Sequence, residues 1–278
     1  MGDAGGKVVF ELLFIGNELL TGKVLNTNSQ WLARSITSMG GVCRRMTVIG
    51  DDVEEISRAI REILERSPRF LITSGGLGPT YDDVTLEGVA RALGRPMRVD
   101  EEALSWVNRR YEDLLRRGSI KKPSGASSRA KMATLPMGSK PLQNPVGTAP
   151  GVLIEAGETR IICLPGVPEE MEAIFEGSVK GEISKELEGL TFVESGFIVE
   201  GLGESFMAPI IEEAMGIYAP YVYIKSHPKR TVPEPVVEFT ITSSGSDGEI
   251  LKRKNEEACR YLKRRLEELG GRILPLEG

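Results

Sequence analysis

The segment Thr73-Ser74-Gly75-Gly76-Leu77-Gly78-Pro79-Thr80-Tyr81-Asp82-Asp83-Val84-Thr85 follows a short apolar run and precedes an amphipathic one. Its residue types suit phosphate chemistry. Glycines let a backbone turn tightly and approach a ligand with no Cβ in the way, so Gly75, Gly76 and Gly78 offer bare amides, and Ser74 and Thr80 add hydroxyl donors. Backbone N–H groups at the start of a helix favour an anion. Two adjacent carboxylates would repel a bare phosphate and become useful when a divalent cation lies between. Asp83 is expected as the inner metal ligand, with Asp82 behind it, although an acid here also suits the first turn of a helix. The segment is neither a Walker loop, since no Gly-Lys-Ser/Thr follows, nor a G-x-G-x-x-G dinucleotide loop. It reads as a metal-assisted phosphate or pyrophosphate site.

Other segments carry similar chemistry. Asp51-Asp52 ends a second apolar run; Asp52 suits a helix N-cap, and Asp51 suits a shared metal ion that would neutralise a pyrophosphate and activate water. Glu18 ends the first apolar run and reads as a solvated loop acid, a metal ligand or the general base for water. Asn26 and Asn28 suit turns and caps or contacts to a sugar or base. Asn144 to Gly151 brings backbone donors, Gly147 among them, and the Thr148 hydroxyl. Pro165-Gly166-Val167-Pro168-Glu169-Glu170 opens a helix with Pro at favoured positions; there Gly166 is expected to hold a second phosphate and Glu169 to act as an acid near metal. The single histidine, His227, cannot build a multi-histidine metal site, and no G-x-S-x-G elbow supports a Ser-His-Asp triad.

The elements that must position these residues alternate. Val8–Ile15 is a nearly continuous apolar run, as in a strand buried on both faces. Asn28 is expected to cap a helix carrying Trp31, Leu32 and Ile36. Val42–Ile49 reads as a second strand, Val53–Leu64 as a helix, Phe70–Thr73 as a third strand and Leu86–Leu93 as a helix. This alternation predicts a parallel sheet with helices on both faces, whose ligands lie outside the carboxyl ends of the strands. Asp100–Arg117 reads as a charged helix and 118–151 as a long irregular loop, of the kind that is usually functional or mobile. Thr159–Leu164 reads as a further strand. A boundary near 177–190 is expected, followed by a small α+β unit with strands at Thr191–Val199, Tyr221–Lys225 and Val236–Thr242, helices at Glu204–Ala214 and Glu249–Leu269, and a Pro-rich connection from Pro228 to Pro235.

Composition narrows the function classes. The 278 residues are 40% hydrophobic and 27% charged, as in a globular protein. A net charge of −5 gives no footprint for bulk nucleic-acid binding. The three cysteines, Cys43, Cys163 and Cys259, are too few and too far apart for a disulfide framework or a CxxC metal site. Met1–Lys7 lacks the apolar core of a signal peptide, and no apolar run approaches a membrane span. A cytoplasmic location with no membrane association is expected.

In order and spacing, six pieces resemble the amino-terminal part of the CinA (competence/damage-inducible) proteins, within the MoaB/MogA molybdopterin-binding-like superfamily. They are Gly16 to Gly22, Asn26 to Ser29, Gly50-Asp51-Asp52, Ser74 to Thr85, Asn144 to Gly151 and Leu164 to Met171. Gly201 to Ser205 and Lys225 to Pro228 resemble that family's small KH-like domain. The resemblance implies a three-layer α/β/α sandwich with a mostly parallel sheet over residues 1–178, an α+β KH-like domain over 190–278, and a homodimer. It implies a pyrophosphatase dependent on a divalent metal (Mg, Mn or Co) and acting on a nucleotide-type substrate, ADP-ribose or a dinucleotide such as FAD. The alternative it carries is a molybdopterin- or nucleotide-binding protein with no hydrolysis of its own. Asp51, Asp83 and Gly75 to Gly78 correspond to the site that holds pterin phosphate in MogA-like relatives. Full-length bacterial members continue into a deamidase domain that this sequence does not reach, so no deamidase activity is inferred and a separate deamidase chain is a conceivable partner. Many members have Asp where this chain has Asn26, which weakens a catalytic assignment there. An RNA role through Lys225, Lys229 and Arg230 lacks the G-x-x-G loop it would need.

Overall fold

The computed structural model describes residues 8–122, 125–230 and 233–276. Met1–Lys7 and the Thr231-Val232 step of the Pro-rich connection, both read above from sequence, lie outside the described residues, as does the Arg230 side chain. The chain divides into two compact units. One spans 8–36 and 41–186; the other begins at Leu187 and includes Thr37–Gly40.

The first unit runs β1 (Val9–Ile15), α1 (Asn17–Leu20), α2 (Thr27–Ser38), β2 (Val42–Ile49), α3 (Val53–Glu65), β3 (Phe70–Ser74), α4 (Thr85–Leu93), β4 (Met97–Val99), α5 (Glu101–Arg116), α6 (Ala126–Met132), β5 (Thr134–Pro136), β6 (Lys140–Leu142), β7 (Gly151–Ala156) and β8 (Thr159–Leu164). It closes with α7 (Pro168–Ile174), a π-helical turn (Phe175–Val179) and α8 (Lys180–Glu186). Its six-stranded sheet has the order β2-β1-β3-β8-β7-β6. The first four strands are mutually parallel, whereas β7 and β6 run antiparallel to their neighbours. The fold is α/β with a mostly parallel sheet.

Every residue of β1 is buried, as is every residue of β3, which is what unbroken apolar runs dictate for interior strands. The Phe10 and Phe70 rings stack at 4.8 Å across that pair, and each such side chain contributes about 1.5–3 kcal/mol when fully buried. One charge interrupts β1. Glu11 is 1% exposed and is held by the Arg66 guanidinium at 2.7 Å and Arg44 at 3.3 Å. Burial alone would raise its pKa; hydrogen bonds and charge from Arg66 and Arg44 reverse this and hold it below the ordinary carboxylate value. Cys163, on β8, is fully buried, and all three cysteines are free thiols.

Helix α3 turns Ile56, Ile60 and Ile63 inward, and its N-cap Asp52 accepts the Glu55 N–H at 2.8 Å. The expected cap at Asn28 is corrected: α2 starts at Thr27, so Asn28 lies inside the helix, and Asn26 Oδ1 accepts the Ser29 N–H at 3.1 Å. Of the stretch 118–151, Pro123 and Ser124 lie outside the described residues, and 125–151 is more regular than its composition predicts, because it contains α6, β5 and β6. Three-residue strands and a seven-residue helix are too short to print a periodicity.

The second unit runs β9 (Thr191–Glu200), α9 (Glu204–Tyr218), β10 (Tyr223–Arg230), β11 (Val236–Gly245), α10 (Gly248–Glu268) and β12 (Arg272–Leu274). Its antiparallel sheet, ordered β10-β11-β9-β12, has the connectivity of the split βαβ motif. Phe197 and Phe239 stack at 5.0 Å in a core closed by Leu262 and Leu266 of α10. Buried Asn255 accepts the Ser195 hydroxyl and donates to the Ile241 carbonyl. Strand β10 continues through Pro228 to Arg230, so the Pro-rich connection is shorter than expected. Among the described residues no helix is long and apolar enough to cross a membrane.

Candidate functional site

From β1 the chain steps to β2 on one side and then crosses to β3 on the other. The carboxyl ends of β1 and β3 therefore flank a topological switch point, where an open α/β sheet leaves a crevice. A cleft of about 410 Å³ lies there. Glu18 reaches it from β1, Asp51 from β2, the glycine loop from β3 and Gly166 from β8; Thr148 completes the wall.

Backbone geometry explains the glycines. Gly75 has φ +113°, and a Cβ there would lie 2.1 Å from the Ile15 carbonyl oxygen; Gly76 has φ +67°, and a Cβ there would lie 2.2 Å from Thr85 Oγ1. Only glycine accepts both the torsion and the contact. The Gly75 N–H extends the sheet by donating to the Leu164 carbonyl at 3.0 Å. The N–H groups of Gly76, Leu77 and Gly78 have no acceptor among the described residues, so three amides remain available at the cleft.

The acids surround this loop. Asp83 Oδ2 accepts the Thr80 N–H at 2.8 Å and the Thr80 hydroxyl at 2.6 Å. Asp82 shares that hydroxyl, which, with its own backbone N–H and the Lys131 charge, holds its pKa below the ordinary value. Asp51 Oδ2 accepts the Asn17 N–H at 2.8 Å. Among the described residues no three His, Cys, Asp or Glu side chains form a ready-made metal cluster.

Glu18, Asp51, Gly75, Gly76, Gly78, Thr80, Asp82, Asp83, Thr148 and Gly166 therefore share one cleft. Asn28 and Ser74 do not line it. They sit beside it, around an 80 Å³ cavity. Asn28 Nδ2 donates to Ser74 Oγ and to the Gly166 carbonyl, both at 2.9 Å, and Ser74 donates to the Pro165 carbonyl at 3.0 Å. This ties the Gly166 turn to the end of β3, and a Cβ on Gly166 would sit 3.4 Å from the Gly75 Cα. Asn144 and Gly147 line a neighbouring cavity. Asn144 Oδ1 accepts the Gly147 N–H at 2.7 Å, and its Nδ2 donates to Ala149 O and to Glu170. Glu169 is exposed and not part of the cleft wall.

Three residues escape the sequence reading. Glu170, not Glu169, faces the cleft; burial raises its pKa, partly offset by the Asn144 hydrogen bond and the Arg110 charge. The phase of α7 separates the two neighbours, and a Pro-Glu-Glu string does not reveal it. Lys131 donates to the Thr80 carbonyl and lines a 380 Å³ cavity with Gly76, Gly78 and Asp83; it lay hidden in a stretch read as irregular. Arg110, on a helix read only as charged, donates to the Val146 carbonyl.

Comparison with known proteins follows the same lines. Residues 11–185 match the family described as a probable molybdopterin binding domain. A protein of Sulfurisphaera tokodaii is 40% identical over 265 residues, covering 95% of this chain and 97% of its own. One of Aeropyrum pernix is 41% identical over 264 residues, covering 94% and 95%. The crystal structure of CinA from Thermoplasma acidophilum, a protein described as having unknown function, is 39% identical, with a TM-score of 0.56; the match covers 63% of this chain and 98% of that one. The chain belongs to the family of the probable molybdopterin binding domain and, within it, is similar to CinA.

Proposed function

We propose that this protein is a divalent-metal-dependent pyrophosphatase acting on a nucleotide diphosphate, ADP-ribose or a dinucleotide such as FAD. The observation that carries the reading is the convergence of Asp51, Asp83 and the unpaired Gly76, Leu77 and Gly78 amides on one cleft. The carboxylates Glu18, Asp51, Asp82, Asp83 and Glu170 around that cleft would repel a bare diphosphate, so a cation must balance them. The donor set fits a magnesium-like ion held through one or two carboxylates plus substrate phosphate and water, rather than in an all-protein cage. Asp51 and Asp83 would hold it, with Asp82 beside them; bound there, the ion would neutralise diphosphate charge and polarise water. The Gly76–Gly78 amides hold a phosphate oxygen, and Gly166 and the Thr148 hydroxyl hold the second phosphate. Glu170, the half-buried acid of the cleft wall, takes the proton from the attacking water, since a carboxylate whose pKa is raised by burial is the stronger base; Glu18 orients that water.

A second reading keeps the ligand and removes the chemistry: a molybdopterin-binding protein without turnover. The match of residues 11–185 to the family of the probable molybdopterin binding domain favours it. Incubation with Mg²⁺, Mn²⁺ or Co²⁺ and ADP-ribose or FAD separates the two. Release of AMP that depends on metal supports the pyrophosphatase. No release with any of the three, together with tight pterin binding, establishes the second reading.

A further inference from the structure

The cleft does not stand alone. It shares Thr148 with a cavity of about 300 Å³ beside α5, lined by Trp106, Arg109 and Arg110 and bounded by Asn144 and Gly147. The electrostatics of this cavity are opposite to those of the cleft. Arg109 has no ion-pair partner among the described residues. Arg110 donates one Nη to the Val146 carbonyl, yet its Nε is buried without an acceptor. A buried donor left unmet costs about 1–3 kcal/mol and needs an explanation. Asp113 also lines the cavity, but its carboxylate is bonded to Arg116 at 2.6 Å. The Arg110 charge acts on the Glu170 carboxylate, which belongs to the central cleft.

An indole beside two guanidinium groups suits a planar heteroaromatic ring, which stacks on the indole and on guanidinium planes. Open hydrogen-bond donors add recognition of ring or sugar oxygens. The volume lies at the lower end for small-molecule sites, enough for one ring system and its sugar but not for a polymer. On the other flank of the glycine loop, the Lys131 cavity joins the cleft through Gly76, Gly78 and Asp83. A diphosphate held in the cleft therefore has a compartment available for a group at either end.

We propose that the Trp106–Arg109–Arg110 cavity is a second ligand compartment, which receives a heteroaromatic nucleoside carried beyond the diphosphate. The preferred substrate class is then a dinucleotide, two nucleosides joined through their phosphates, rather than a simple nucleoside diphosphate. This assignment rests on the diphosphate reading of the central cleft.

The test uses the full chain with Trp31→Phe, which leaves Trp106 as the only tryptophan; Trp31 packs edge-on against Phe175 at 5.2 Å, and phenylalanine keeps that ring contact. Methylene-bridged analogues of NAD⁺ and ADP, which resist hydrolysis, are titrated with Mg²⁺ by calorimetry and by Trp106 fluorescence. The NAD⁺ analogue is expected to bind about tenfold more tightly than the ADP analogue, an order of magnitude typical of one added stacking contact, and to change Trp106 emission where the ADP analogue does not. Arg109→Gln and Arg110→Gln should remove that advantage and leave ADP-analogue binding unchanged. Arg109→Gln breaks no hydrogen bond or ion pair among the described residues, so it remains informative should Arg110→Gln fail to fold. Equal affinity for both analogues, unchanged emission and indifference to Arg109→Gln would overturn the second compartment and leave the central cleft standing. Failure of both analogues to bind would overturn the central reading, and the compartment with it.

Discussion

The Glu170 carboxylate occupies the space that a side chain at Gly147 would need: a Cβ on Gly147 would lie 2.0 Å from that carboxyl group. The loop at Asn144–Thr148 thus sets the position of the cleft's half-buried acid, which Asn144 Nδ2 anchors at 2.7 Å. Gly147→Ala should swing Glu170 out of place without dismantling the sheet. Under the pyrophosphatase reading, turnover should fall by about 100-fold, the scale of a 1 Å misplacement, with circular dichroism unchanged. Full activity in that variant would show that Glu170's position is irrelevant to catalysis.

Glu170 also gives a pH signature. Burial raises its folded-state pKa above the ordinary carboxylate value. Its protonated form is therefore favoured by folding, so its stabilising effect is complete below the unfolded pKa, about 4.3, and is lost as pH rises through the higher folded value. Glu170→Gln should melt at or above the wild-type temperature at neutral pH, and this difference should vanish in acid. If Glu170 is the base, the acidic limb of the pH–rate profile should disappear in this variant and persist in Glu18→Gln. A limb unchanged by Glu170→Gln would assign the proton transfer elsewhere.

Asp83 and Asp82 share the Thr80 hydroxyl, but only Asp83 also accepts the Thr80 N–H. Asp83→Ala should cost about 1 kcal/mol for each lost hydrogen bond and reduce turnover roughly 100- to 1,000-fold, as loss of a preorganised electrostatic group does. Asp82→Ala should have the smaller kinetic effect. Steady-state rates beside urea melts read both quantities, and a larger rate loss for Asp82→Ala would reverse the assigned order.

Far from the cleft, Glu11 is the charged residue inside β1, and Arg66 meets it with both Nε and Nη2. Removing Arg66 leaves a buried carboxylate with only Arg44, so Arg66→Ala should destabilise by about 3 kcal/mol, the lower end for a broken buried pair. Glu11's folded pKa is depressed, so its contribution is present above the unfolded carboxylate pKa and lost as pH falls through the folded value. Arg66→Ala should therefore unfold at a higher pH in acid titration. An unchanged acid midpoint would remove this pair from the account.

The sequence displays its longest signals most faithfully. Strands β1 and β3 are legible because a strand between two neighbours needs apolar residues on both faces, and the glycine loop is legible because positive φ excludes most other residues. Short elements were lost. Strands β4, β5, β6 and β12 span three residues each, and the antiparallel pair β6–β7 is fixed by long-range pairing rather than local pattern. Around the cleft, backbone glycines and strand-end acids were readable, whereas Glu170 against Glu169 and Asn26 against Asn28 depend on one or two residues of helix phase or boundary. Lys131 and Arg110 are set by where α6 and α5 pack, which composition does not encode.

Cys163 provides a last consequence. It is the penultimate residue of β8, and burial pushes its thiol pKa up to about 12, while Cys43 and Cys259 are partly accessible. An alkylating reagent needs the thiolate and physical access, so it should label the two peripheral cysteines in minutes and reach Cys163 only when the parallel sheet opens. The rate at which the third label appears is then a clock for cooperative unfolding of the sheet that carries the cleft, readable by mass spectrometry without an added probe.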